Sequence, residues 1–220
     1  MDLAPIWLSI RVSIIAVGVV FIVGTGLAVV LQRYSFRGRT IIEALVMLPL
    51  VLPPTVAGFF LLLLLGKNGP LGRLLNYFGI QIIFSWWAAT IASMVVALPL
   101  MYQGVKSSLE SVDLNLEQVA RTLGAGEARV LRTITLPLSW PGIVSGVVMA
   151  FTRSLGEFGA TLMVAGNIPG KTQTIPVAVY SFASSGDMAG AGYMVMILVA
   201  VSFSLVFAVS AWRRKFIRWY

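Results

Sequence analysis

The twenty residues Tyr193-Met194-Val195-Met196-Ile197-Leu198-Val199-Ala200-Val201-Ser202-Phe203-Ser204-Leu205-Val206-Phe207-Ala208-Val209-Ser210-Ala211-Trp212 contain no charge. About 20 predominantly apolar residues are what an α-helix needs to cross the hydrocarbon core of a bilayer. A second run, Ile10 to Leu31, is interrupted only by Arg11 and small polar residues. Composition agrees with both runs: 58% of the 220 residues are hydrophobic and 11% charged, against about 25% charged in a soluble domain. So few charges cannot cover the surface of a soluble protein of this length. Strand-type spans would show short segments of strict alternation, and the sequence has none. In lipid the backbone must satisfy its own hydrogen bonds. The expected fold is therefore an all-α integral membrane protein forming a single transmembrane domain over residues 1–220.

There is no cysteine, which excludes disulfides, iron–sulfur clusters and thiol chemistry. There is no histidine, which removes the commonest general base and metal ligand. No catalytic residue and no metal site is expected. The first span has no basic leader and no clear small-residue cleavage site, so it reads as a retained span.

A formal net charge of +8 suggests nucleic acid until the positions of the basic residues are considered. Arg33, Arg37 and Arg39 share one short loop. Lys106, Arg121, Arg129 and Arg132 share another segment, and Arg213, Arg214, Lys215 and Arg218 the C-terminal tail. Eleven of the sixteen basic residues thus sit at three alternate loops or ends. The intervening connections hold only Lys67, Arg73 and Lys171, and Arg11 and Arg153 lie inside hydrophobic segments. This is the positive-inside bias. It predicts an outside N-terminus, about five crossings and a cytoplasmic C-terminus in a cell membrane.

Span one is expected over Ser9–Leu31, with Arg11 close enough to its outer end to snorkel. Span two, about Ile41–Leu65, contains Pro49, Pro53 and Pro54. Each proline removes a backbone donor and obstructs the preceding turn. Either packing kinks this helix, or it is discontinuous and lines a pathway with Pro49, Pro53, Pro54 and Thr55. Gly66–Ile83 is an outer connection with a short amphipathic helix. Span three runs about Phe84–Val105, with Trp86 and Trp87 suited to the interfacial aromatic belt. Span four covers about Pro141–Val164 and span five about Tyr193–Trp212. Ile175–Phe182 is apolar but too short to cross alone: a re-entrant or interfacial helix is expected, with a sixth crossing as the alternative.

Lys106–Trp140 is the polar island of the chain and holds Glu110, Asp113, Glu117 and Glu127, half of the eight acidic residues. Leu116, Val119, Ala120 and Leu123 follow the i, i+3, i+4, i+7 spacing of one helix face. Gly124 supplies a stop, being permissive for a left-handed cap. A second short helix is expected from Glu127 to about Ile134, with Pro137 preventing its continuation. Basic residues on a helix-turn-helix suggest DNA, but both ends lead within a few residues into spans. The apolar stripe needs a surface to cover it, and a groove in a partner protein suits it better than the membrane's own surface.

At this point the residues resemble a family. Glu117-Gln118-Val119-Ala120-Arg121-Thr122-Leu123-Gly124-Ala125-Gly126, followed by Ile134-Thr135-Leu136-Pro137, is similar to the EAA loop of ABC importer permeases. It departs from the family pattern at Gln118 and Val119, where alanine is frequent. The resemblance implies the type I importer permease fold and a coupling helix over Leu116–Gly126 that docks on an ATPase subunit and transmits its closure.

Arg153 and Glu157 interrupt an otherwise apolar stretch. An ionised side chain near the bilayer centre costs roughly 2.5–3.5 kcal/mol even on permissive scales, so both should face protein or water. On one continuous helix Gly142, Gly146, Ala150, Arg153, Glu157 and Ala160 would fall on a single face, joining both charges to the small residues that permit close helix approach. Either the pair is an internal salt bridge, or Arg153 also offers a cationic contact to a passing anion. Arg153-Ser154-Leu155-Gly156-Glu157-Phe158-Gly159-Ala160 is similar to a signature of molybdate and sulfate permeases. Leu48–Gly58 and Gly166–Pro176 resemble the molybdate group more than the sulfate group.

This resemblance implies a permease for molybdate or tungstate, with a sulfate or thiosulfate permease as the alternative. It implies a homodimer around a pore, two cytoplasmic ATPase subunits and an external oxyanion-binding protein. ATP and magnesium would be bound by the ATPase, since this chain has no G-x-x-x-x-G-K-[ST] loop. Two other classes compete. A membrane-embedded enzyme lacks catalytic material here. A stand-alone channel or secondary transporter is disfavoured by the missing inverted repeat and by the partner-seeking loop.

Overall fold

The computed structural model describes residues 3–217, with side chains described through residue 212. The basic tail Arg213, Arg214, Lys215 and Arg218, expected in the cytoplasm, lies outside the described side chains. Among the described residues the order is α1 (Ala4–Arg33), α2 (Arg39–Val51), α3 (Pro54–Leu65), α4 (Pro70–Tyr77), α5 (Trp86–Glu110), α6 (Leu114–Thr122), α7 (Glu127–Val130), a π-helical stretch (Leu131–Thr135), α8 (Leu136–Leu155), α9 (Gly159–Ala165), α10 (Ile175–Ser184) and α11 (Met188–Ile217).

Among the described residues, four helical rods are long and apolar enough to cross a bilayer: α1, α5, Glu127–Leu155 and α11. The bent pair α2–α3 makes a fifth. Packing shows why the pair counts as one crossing. The C-terminal half of α1 and the second half of α5 form one apolar cluster with Leu31, Met101, Val105 and Ile143, to which α2 adds Val46 and Met47. The opposite end of the same two helices forms a second cluster, with Val12, Ala88 and Ala92, to which α3 adds Leu61, Leu62 and Leu65. The broken pair therefore reaches from one end of the α1–α5 core to the other.

The proline-rich second span is discontinuous. Its two axes bend by 116° at the break, where Leu52 and Pro53 are extended. Pro53 and Pro54 supply no donors there, and Pro54 starts α3, where a missing N–H costs nothing.

The fourth span differs from expectation at both ends. Pro137 and Pro141 do not stop the helix. The chain runs unbroken from Glu127 to Leu155, and the π-helical turn at Leu131–Thr135, in which Leu136 N donates to Leu131 O, lies just before Pro137. At the other end the helix stops at Leu155, before Glu157, and α9 restarts at Gly159. Glu157 and Ala160 therefore do not share a continuous helix face with Gly142, Gly146 and Ala150. The small residues do permit close approach: a Cβ on Gly104 of α5 would lie 2.7 Å from the Gly146 Cα.

The apolar stretch after Thr174 becomes α10, ten residues long, about 15 Å at 1.5 Å per residue and half a hydrocarbon core. Its first N–H, from Ile175, donates to Ser9 Oγ of α1 at 2.7 Å. It makes no sixth crossing. Phe203, Phe207 and Val199 are exposed on α11, and only 6% of that helix's most apolar stretch is buried, as a lipid-facing helix requires.

Candidate functional site

The polar island builds a short helix presented on an ion-pair network. Asp113 caps α6 by accepting from Asn115 N at 2.9 Å, which satisfies one orphan donor of the first turn. The helix ends in a Schellman turn: Ala125 N donates to Ala120 O and Gly124 N to Arg121 O, both at 3.0 Å. Gly124 has φ +85°, a conformation that costs an L residue about 1–2 kcal/mol.

One face of α6 points back into the protein. Glu117 accepts from Thr135 Oγ1 at 2.6 Å and from Arg121 at 2.9 Å. Arg121 also donates to Glu127, and Arg33 at the end of α1 donates to the Glu127 carbonyl at 3.0 Å. Glu127 first and Glu117 second raise the Arg121 guanidinium above its ordinary range. These groups line a cavity of about 380 Å³ between α1, α6 and the π-helical stretch. The other face is apolar and bare. Leu116, Val119 and Leu123 are exposed, Leu123 by 83%. Gln118 and Gly126 are exposed beside them, with Ala120 and Ala125 half-buried. Nothing in the sequence pairs Arg33 with Glu127 or Thr135 with Glu117, because only tertiary structure brings them together.

The second cluster lies where two broken helices meet. A Cβ on Gly159, the first residue of α9, would stand 3.1 Å from Thr55 and 3.2 Å from Pro54 at the start of α3. One turn on, a Cβ on Gly58 would stand 2.7 Å from the Ala160 Cα, so nothing larger than glycine fits between α3 and α9. Pro53, Pro54 and Thr55 are thereby brought beside the Gly156–Phe158 break, with Pro49 two residues before the end of α2. Arg153 lies 2.7 Å from Glu157, and the other oxygen of Glu157 accepts from Ala160 N at 2.8 Å. The carboxylate thus neutralises a cation and caps the first turn of α9. Its side chain is 1% exposed, whereas that of Arg153 is 28% exposed. Ser154 donates to Ser13 of α1 at 3.2 Å and holds the end of α8 in place. Thr55 is exposed.

Among the described residues no group of three or more His, Cys, Asp or Glu side chains is arranged to hold a metal ion. The arrangement offers a capped helix held by ion pairs at one end of the molecule, and a partly accessible guanidinium beside two helix breaks.

Comparison with known proteins places this architecture. The chain is 45% identical over 204 residues, 92% of its length and 90% of the other's, to the putative molybdenum transport system permease protein YvgM of Bacillus subtilis. It is 45% identical over 213 residues, 96% and 93% of the two chains, to the molybdenum transport system permease protein ModB of Escherichia coli K12. The sulfate transport system permease protein CysT of Salmonella typhimurium is 35% identical over 193 residues, 88% and 70% of the two chains. The fold matches the inward-facing MetNI methionine ABC transporter with a TM-score of 0.76 at 18% identity, covering 96% of this chain and 94% of that one. The profile of one family, binding-protein-dependent transport system inner membrane component, matches residues 14–218. The chain belongs to that family of multi-pass inner-membrane permeases.

Proposed function

We propose that this chain is the permease subunit of an ATP-driven importer for molybdate or tungstate, working as a homodimer with two ATPase subunits and an external oxyanion-binding protein. The observation that carries the reading is α6: a short helix fixed from behind by Glu117, Arg121, Glu127 and Arg33, with an apolar stripe that none of the described residues covers. Such a stripe suits a groove in a partner. Glu117, Arg121, Ala120 and Gly124 set its posture, while Leu116, Gln118, Leu123, Ala125 and Gly126 offer surface to the ATPase. Magnesium and ATP belong to that partner. The topology that accompanies this reading puts α6 and the C-terminus in the cytoplasm and the N-terminus outside.

A second copy is called for by the surface that a single chain leaves uncovered at membrane depth. No residue of α2 is buried, and Thr55 and part of Arg153 are exposed beside two helix breaks. Irregular backbone and charge at that depth require protein or water, not lipid. Two copies facing each other across these breaks enclose a pathway lined by Pro49, Pro53, Pro54, Thr55 and Arg153. ATPase closure would move α6, and the rod beyond it, continuous from Glu127 to Leu155, would carry the motion to the Glu157 break.

Molybdate is preferred to sulfate because the Bacillus subtilis and Escherichia coli molybdenum permeases are 45% identical over at least nine-tenths of their length, against 35% over 70% for the sulfate permease. Co-purification tests the assignment. The wild-type chain should carry its ATPase through a pull-down, and L123E should lose it. An isolated chain that transports oxyanion unaided overturns the proposal.

A further inference from the structure

At the end of α1 opposite Arg33, the first turns of α1 and α5 and the Gly170–Thr172 turn enclose a cavity of about 400 Å³. Two cations line it, Arg11 and Lys171, and no acidic residue among the described residues does. The central guanidinium carbon of Arg11 sits over the Trp86 ring, 3.9 Å from its centroid. Stacking uses the face of a guanidinium and leaves its edge donors free. No hydrogen bond or ion pair engages Arg11 among the described residues. An uncompensated cation fixed in a concave wall is a site for an anion, and the planar fork of arginine matches the oxygens of a phosphate.

The rim indicates what carries the phosphate. Trp7 is 70% exposed, and Phe84 and Trp87 are also exposed at this level, with Trp86 and Trp87 stacked on each other. Exposed tryptophan at the end of a transmembrane helix marks the headgroup level of a bilayer, where a cationic pocket meets lipid phosphates whose oxygens an arginine fork can grip. The Gly170-Lys171-Thr172 turn is not a nucleotide loop, because the N–H groups of Lys171 and Thr172 both donate to Ile168 O, at 3.1 and 2.9 Å. It contributes the Lys171 ammonium.

We propose that this cavity binds the phosphate of an anionic phospholipid, with Arg11 as the fork and Lys171 as the second charge. The site is independent of the transport reading, since no pathway or coupling residue contributes to it. The shared chemistry is a tetrahedral oxyanion, so the test separates a lipid from a free anion.

The permease, purified with its ATPase partner into nanodiscs of mixed phosphatidylcholine and phosphatidylglycerol, is released into native mass spectrometry and the retained lipids are counted. Wild type should keep phosphatidylglycerol in preference to phosphatidylcholine. Both R11Q and K171Q should lower that preference, each by about fivefold per charge removed. Lys171 is exposed on a turn, so K171Q keeps the test alive if R11Q fails to assemble. Equal retention of both lipids, or retention unchanged in K171Q, overturns the proposal. Titration of delipidated complex with inorganic phosphate or molybdate is the second arm: saturable binding there that is lost in K171Q, without lipid preference, overturns the lipid assignment.

Discussion

Glu157 holds Arg153 at 2.7 Å from beyond the end of α8, and the buried carboxylate is simultaneously the cap of α9. A salt bridge drawn on one helix would only link two turns. Here it joins two helices across a break, so its loss has two separable consequences.

E157Q keeps an amide oxygen to accept from Ala160 N but leaves Arg153 unpaired. Breaking a fully buried pair costs roughly 3–5 kcal/mol, and the partial exposure of Arg153 lowers the expected loss to about 2 kcal/mol. Thermal unfolding of the purified complex checks this. R153Q/E157Q should recover most of the stability. If Arg153 serves the anion as well as the bridge, the double variant stays inactive in transport; if the pair is only structural, transport returns with stability.

Gly58→Ala should destabilise the complex by about 1–3 kcal/mol, the usual cost of overpacking, because its Cβ would meet the Ala160 Cα at 2.7 Å and the Met163 Cβ at 2.9 Å. Gly18→Ala in α1 meets nothing within 4 Å and should be neutral or slightly stabilising. Unfolding temperatures of the two variants, side by side, separate packing from helix propensity.

L123E should reduce the amount of ATPase that co-purifies by about tenfold, with an unchanged unfolding temperature, since Leu123 is 83% exposed. G124A acts differently. It strains the Schellman turn at φ +85° and should keep the ATPase bound while weakening its stimulation by binding protein.

T135V removes the 2.6 Å contact to Glu117, and R33Q removes the tie between α1 and Glu127. Both should lower stimulated ATP hydrolysis more than basal hydrolysis. The Arg121 guanidinium is held above its ordinary range, so its contribution is present below that range and is lost only in strong alkali. Ordinary assay pH does not touch it. Ionic strength does, because the screening length shortens to about 3 Å at 1 M salt, the separation of these exposed pairs. Coupling in wild type should therefore decline with salt, and R33Q should flatten that decline.

Much of this fold is legible in the sequence. The charge-free run at Tyr193–Trp212 and the composition dictate membrane helices, and the three prolines at 49, 53 and 54 announce a break in the second span. The stripe at Leu116, Val119 and Leu123 and the glycine stop at Gly124 come from period and chirality. Three features are not legible. Pro137 reads as a terminator, yet a π-helical turn precedes it and the rod continues. The motif from Gly156 to Gly159 reads as a charged helix face, yet the chain breaks there and Glu157 turns to cap α9. Nothing local pairs Arg33 with Glu127 or Thr135 with Glu117, because these partners lie 94 and 18 residues apart. Local propensity reports local structure, and these three features depend on distant residues that pack against them.

If the chain couples ATP hydrolysis to oxyanion import, the direct measurement is ATPase activity of the permease–ATPase complex in proteoliposomes, with binding protein loaded with molybdate, tungstate or sulfate. The predicted result is stimulation by the molybdate- or tungstate-loaded protein, abolished by L123E. Stimulation by sulfate alone would contradict the substrate, and oxyanion uptake without any ATPase would contradict the mechanism.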